Sequence, residues 1–78
     1  MNSEIYKKVF VESFELDNKK FNENLKYNEI EQWDSIGHMT LISNLEEKFN
    51  ISFETDDIVN FDSYKKGIEI LKSYKVKF

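Results

Sequence analysis

Trp33-Asp34-Ser35-Ile36 runs directly into Gly37-His38-Met39-Thr40-Leu41-Ile42-Ser43-Asn44-Leu45-Glu46-Glu47-Lys48-Phe49, and the reading of this stretch decides the fold. An irregular, polar segment gives way here to helical periodicity, so Asp34 and Ser35 are candidates for the first turn of a helix over about residues 35–49. Met39, Leu41, Ile42, Leu45 and Phe49 share its inner arc, while Thr40, Asn44 and Glu47 lie opposite. Ile36 projects onto the outer arc, an apolar residue on the polar face beside Ser35. It is either a first-turn contact with the preceding loop or a docking residue for partners. Ser35 has two readings as well: a cap, or a hydroxyl placed where free backbone N–H groups can receive a phosphate.

Outward from this stretch the rest of the chain is also helical in pattern. Proline is absent and Gly37 and Gly67 are the two glycines, so little punctuates the backbone. Upstream, Ile5, Tyr6, Val9, Phe10 and Phe14 fall on one side of a first helix over about residues 4–15, with Ser3 as its N-cap. Glu4, Lys7, Lys8, Glu12 and Glu15 fill the opposite arc. Between them lies a long loop, residues 16–33, which its scattered apolar residues Phe21, Leu25, Tyr27 and Ile30 mark as ordered. Downstream, Asn50 is the expected left-handed stop of the Ser35 helix, followed by an extended link through Ile51-Ser52-Phe53. A short third helix over about residues 55–60 is expected to be capped by Thr55, with Asp56 and Asp57 in its first turn. Asp62 or Ser63 caps a last helix over about residues 63–74, where Tyr64, Ile68, Ile70, Leu71 and Tyr74 gather on one arc. The tail from Val76 to Phe78 carries no periodic signal. The fold class expected is all-α, one domain over residues 1–78, with three principal helices and one short one around a shared core.

With 78 residues and no cysteine, that core has neither disulfide nor thiolate metal site to supplement it, and supplies about 3–5 kcal/mol. The unmodified chain therefore has no thiol chemistry of its own. Residues 1–64 hold fourteen acids and six lysines, whereas residues 65–78 hold five lysines and one acid, Glu69. An acidic body repels phosphate backbones and favours basic partners, which argues against nucleic acid as the main ligand. The dispersed C-terminal lysines read as the solvated face of a helix rather than an anchor for an anionic surface. No apolar leader opens the chain and no stretch reaches membrane-spanning length, so the expectation is a soluble, cytoplasmic monomer without a membrane partner.

Catalysis is not expected. His38 has no cysteine to pair with and projects onto the apolar arc, where a packed imidazole bonded to a nearby carbonyl is the preferred reading over a role near Ser35. Neighbouring acids such as Glu46-Glu47 and Asp56-Asp57 point about 100° apart on a helix and make no carboxylate dyad. No Asp-rich loop with calcium-ligand spacing is present, so no metal site is expected.

The extended pattern is more specific than any of these residues alone. Trp33-Asp34-Ser35-Ile36-Gly37-His38-Met39, with Leu41-Ile42, Leu45-Glu46-Glu47-Lys48-Phe49 and Ile51-Ser52-Phe53, resembles the second helix of acyl and peptidyl carrier proteins and the loop leaving it. The similarity continues through Asp56-Asp57-Ile58 and Phe61-Asp62-Ser63-Tyr64 to Ile68 and Leu71, covering about residues 30–71. The resemblance implies an acyl-carrier-like four-helix bundle in which Ser35 bears 4'-phosphopantetheine and Asp34 completes the motif as a helix cap. It implies a carrier rather than an enzyme: a phosphopantetheinyl transferase modifies it, a ligase loads an acyl or aminoacyl group as a thioester, and downstream acyl-processing or transfer enzymes take the cargo. Ile36, Met39, Glu46 and Glu47 become docking residues on the same basis. Carriers of fatty-acid synthesis commonly place an acid just after Asp-Ser-Leu, where this chain has Gly37 and His38. With Trp33, that departure is closer to the stand-alone carriers of polyketide, nonribosomal-peptide, D-alanyl and surface-polysaccharide pathways. An aminoacyl or peptidyl carrier differs only in cargo. The contrasting expectation is a helical interaction module in which Asp34-Ser35 merely caps a helix.

Overall fold

Four α-helices and no β-strand make up the described residues, 1–17 and 19–78, of the computed structural model: α1 (Asn2–Ser13), α2 (Ser35–Phe49), α3 (Thr55–Asn60) and α4 (Tyr64–Ser73). Asn18, inside the expected loop, lies outside the described residues.

The ends of α2 are held by side-chain and backbone chemistry. Asp34 is extended and its Oδ1 accepts the Gly37 N–H at 2.8 Å, while Asn50 adopts the left-handed conformation (φ 55°) and donates its N–H to Glu46 O. Asn50 is the stop the sequence pattern predicts, and of the two candidates at the start, Asp34 and Ser35, the cap falls to Asp34. At α4 the choice between Asp62 and Ser63 falls to Ser63, whose Oγ accepts the Lys66 N–H at 2.9 Å. Two expected caps are corrected. Ser3 lies inside α1, which starts two residues early behind Met1 with no side-chain cap, and Thr55 is the first residue of α3 behind an extended Glu54. A helix that starts without a capping side chain leaves no signal in the sequence to place its first residue.

The buried faces of α1, α2 and α4 meet in one aromatic-rich core. Tyr6, Val9 and Phe10 come from α1, Leu41, Ile42 and Leu45 from α2, and Tyr64, Ile70 and Leu71 from α4, with Phe14, Phe53 and Phe61 from the links. Each such side chain contributes about 1.5–3 kcal/mol by leaving water. Trp33, in the loop, is fully buried, and its ring lies 5.2 Å from Phe10 and 5.3 Å from Phe14. The Phe10–Trp33 pair is edge-to-face, an arrangement that adds about 0.5–1.5 kcal/mol beyond its area. One further expectation is corrected: Met39 is half exposed rather than on the inner arc. The tail, which carries no periodic signal, is packed: Val76 is buried, its N–H bonds Leu71 O, and the Phe78 ring meets Tyr6 edge-on at 5.8 Å.

The loop between α1 and α2 is ordered by pairing with the α3–α4 link. Lys26 and Ser63 form an isolated antiparallel bridge, the Tyr27 N–H bonds Asp62 O at 2.8 Å, and the Tyr64 N–H bonds Leu25 O at 2.9 Å. Leu16 and Leu25 are buried beneath it. Beside this pairing, Ser35 at the start of α2 and Ile58 and Val59 of α3 come to one pocket. Among the described residues no helix is long and apolar enough to cross a membrane.

Candidate functional site

Ser35 is exposed at the first position of α2. Because Asp34 makes the cap, the serine hydroxyl is not consumed in that role. The His38 N–H already bonds Asp34 O at 2.8 Å, so the N–H groups of Ser35 and Ile36 are the ones that precede the helical ladder. An anion held on Ser35 Oγ would meet those donors and the positive end of the helix.

The surroundings of Ser35 are apolar. A pocket of about 320 Å³ opens beside it, walled by Met39 from α2, Ile58 and Val59 from α3, Phe61, Tyr27 and His38, with Asp62 as its single carboxylate. Ile36 is 78% exposed and Val59 73%, and Met39 and Tyr27 are also exposed, so an apolar rim surrounds the hydroxyl. Ile36 therefore does not pack on the preceding loop. Val59 was not legible as part of this rim from periodicity, since a six-residue helix is too short to show any.

Of the two acids expected to meet partners, Glu47 is exposed, whereas Glu46 is half-buried and its Oε2 accepts the Phe53 N–H at 2.8 Å. That bond ties the link after α2 back onto the helix and gives Glu46 a structural use. Gly37 stands where a carrier of fatty-acid synthesis commonly has an acid, and packing accounts for it. A Cβ here would overlap the carbonyl oxygen of Gln32, so the loop approaches α2 too closely for any side chain.

His38 is buried, and both ring nitrogens are engaged. Trp33 Nε1–H donates to Nδ1 at 2.9 Å, and Nε2 lies 2.8 Å from Ile58 O. Indole is a donor only, so Nδ1 must be the unprotonated nitrogen and Nε2–H the donor to the Ile58 carbonyl. The packed reading of His38 is the one found, with Ile58 O as its carbonyl. Among the described residues every buried side-chain nitrogen or oxygen has a hydrogen-bond partner, and no cluster of three His, Cys, Asp or Glu residues is placed to hold a metal ion. What the site presents chemically is one accessible hydroxyl at a helix start beside an apolar pocket. A scan against family models and searches for similar curated proteins and similar solved structures each return no match for this chain.

Proposed function

We propose that the chain is an acyl carrier protein, modified on Ser35 with 4'-phosphopantetheine and serving a specialised biosynthetic pathway or a fatty-acid-type synthesis. The observation that carries this reading is the division of labour at the start of α2: Asp34 makes the cap, and the adjacent Ser35 keeps an exposed hydroxyl at the rim of an apolar pocket. The local chemistry fits the group. Ser35 Oγ is the nucleophile a transferase needs to reach, the leading N–H groups of α2 favour the phosphodiester by about 0.3–1 kcal/mol, and the pocket offers an apolar surface beside it. Once attached, the group supplies the terminal thiol on which an acyl chain is carried as a thioester. The chain itself catalyses nothing in this reading. It presents Ser35, and the exposed rim of Ile36, Met39 and Val59, with Glu47 farther along α2, receives the transferase, the loading ligase and the enzymes that take the cargo.

Asp62 keeps an aminoacyl cargo as the second reading, since the only carboxylate in the pocket wall suits an ammonium group. The acyl reading leads because Met39, Ile58, Val59 and Phe61 make most of the rest of that wall. The absence of cysteine provides a clean test. After incubation with coenzyme A and a broad-specificity phosphopantetheinyl transferase, followed by desalting, thiol titration is expected to rise from none to one per chain. A chain that still titrates with none is the helical interaction module and not a carrier.

A further inference from the structure

Helix α3 is held differently from the other three. It has six residues, none of them fully buried, and Ile58 is its single apolar residue packed against the core. Two polar pins add to that contact. On the α4 side, Tyr74 Oη–H donates to Asp57 Oδ2 at 2.6 Å and accepts the Glu54 N–H at 2.8 Å. On the α2 side, His38 Nε2–H caps Ile58 O, a carbonyl within the last turn of α3 that has no helical partner. The second pin depends on the first bond of a relay. Trp33 Nε1–H fixes the imidazole by donating to Nδ1, with the two rings nearly coplanar at 16°.

This relay works with neutral histidine alone. A proton on Nδ1 would set one N–H donor against another. Trp33 is fully enclosed and wedged against Phe10 and Phe14, so its indole can neither turn away nor reach water. The imidazole, at 9% exposure and facing the pocket, is the ring with somewhere to go.

We propose that His38 is an acid-sensitive latch: neutral, it pins α3 to α2 and closes one wall of the pocket beside Ser35; protonated, it leaves its slot and releases Ile58. The ionisable groups around it are few. Tyr27 from the loop meets the imidazole edge-on at 5.6 Å, and Asp62 from the α3–α4 link lines the same pocket. Asp34 stands one turn back on α2, and Asp57 on α3 is engaged with Tyr74. No lysine lines the pocket. The carboxylates of Asp34 and Asp62 attract the imidazolium once it moves toward the pocket mouth, so the released position is the favoured one for the cation. The latch does not rest on the carrier reading, and it is tested on the unmodified chain.

The chain has one tryptophan and one histidine, so the indole N–H and the imidazole C–H signals are assigned without ambiguity. Nuclear magnetic resonance of the wild-type chain, titrated downward from neutral pH over the range in which the chain stays folded, reads the latch directly. The Trp33 indole N–H is expected to move upfield and lose exchange protection, with the same midpoint as the His38 ring and the Val59 and Asn60 amides. His38→Asn, which keeps an acceptor for Trp33 but takes no proton, is expected to abolish that shared midpoint. The proposal is overturned if His38 titrates while Trp33 and α3 stay unchanged, or if nothing moves over the interval. Persistence of the same midpoint in the Asn variant also overturns it. If that variant does not fold, the wild-type titration alone decides.

Discussion

At the scale of single residues, the arrangement around Ser35 separates side chains that hold the fold from those that face outward, although they alternate along one helix turn. Ile36 is 78% exposed while its neighbours Trp33 and His38 are buried. A substitution such as Ile36→Glu removes no internal contact, so folding stability is expected to stay within about 0.5 kcal/mol of wild type by urea unfolding. If Ile36 belongs to the proposed docking surface, transfer of the phosphopantetheinyl group by a transferase is expected to slow by tenfold or more, since a charge would replace the apolar rim, a loss of about 1.4 kcal/mol. An unfolded variant, or one modified at the wild-type rate, would remove Ile36 from the docking surface. Ser35 was legible from the sequence because polar residues before it and apolar periodicity after it bracket the helix start. The His38 relay was legible only in half: its position on the inner arc marked it as packed, but Trp33 sits in an irregular segment where periodicity assigns no face.

At the scale of elements, how well each helix could be read follows from its ends. α2 was legible to the residue because Asp34 and Asn50 close it with side-chain and left-handed caps, whereas α1 begins behind Met1 without one and was placed two residues late. Periodicity treats the apolar arc as broad and so includes Met39; with a turn of about 100° per residue, Met39 stands a full step past His38 and outside the buried strip. Gly37 could be counted in the sequence, but its reason lies in the loop that crosses α2. Gly37→Ala gains helix propensity of about 1 kcal/mol yet forces a methyl into the Gln32 carbonyl, and the loop is anchored on Trp33 and cannot simply move. The net expectation is a destabilisation of about 1–3 kcal/mol, measured by urea unfolding, with Trp33 fluorescence shifted to the red. A variant as stable as wild type would mean that the loop does not press on α2 as described.

At the scale of the whole molecule, the two termini are tied into one core. Tyr6 on α1 donates its hydroxyl hydrogen to Tyr64 O at 2.7 Å and stacks on the Tyr64 ring at 4.6 Å, joining the first helix to the last. Burial, and then the neighbouring Tyr64, raise the Tyr6 phenol well above its ordinary range. Tyr64 is pushed up to about 12, by burial first and Glu23 second. These acids ionise more readily in the unfolded chain than in the folded one. Their contribution is therefore complete below the ordinary tyrosine range near pH 10, and is lost as pH rises from there through the folded values. Urea midpoints are expected to hold between about pH 8 and 9.5 and fall above about pH 10. Tyr6→Phe should lose about 1–2 kcal/mol at neutral pH, by leaving Tyr64 O unpaired, and should fall less steeply in alkali. An equally steep decline in that variant would place the alkaline transition elsewhere.

The same economy of structure applies to function. Of the exposed hydroxyls near helix starts, Ser35 is the one that lines the apolar pocket between α2 and α3. The central claim is attachment at Ser35, and intact-mass measurement after incubation with coenzyme A and a phosphopantetheinyl transferase tests it most directly. The account predicts that the wild-type chain gains the mass of one phosphopantetheinyl group and that Ser35→Ala gains nothing. A wild-type chain of unchanged mass, or a Ser35→Ala chain that is still modified, would contradict it.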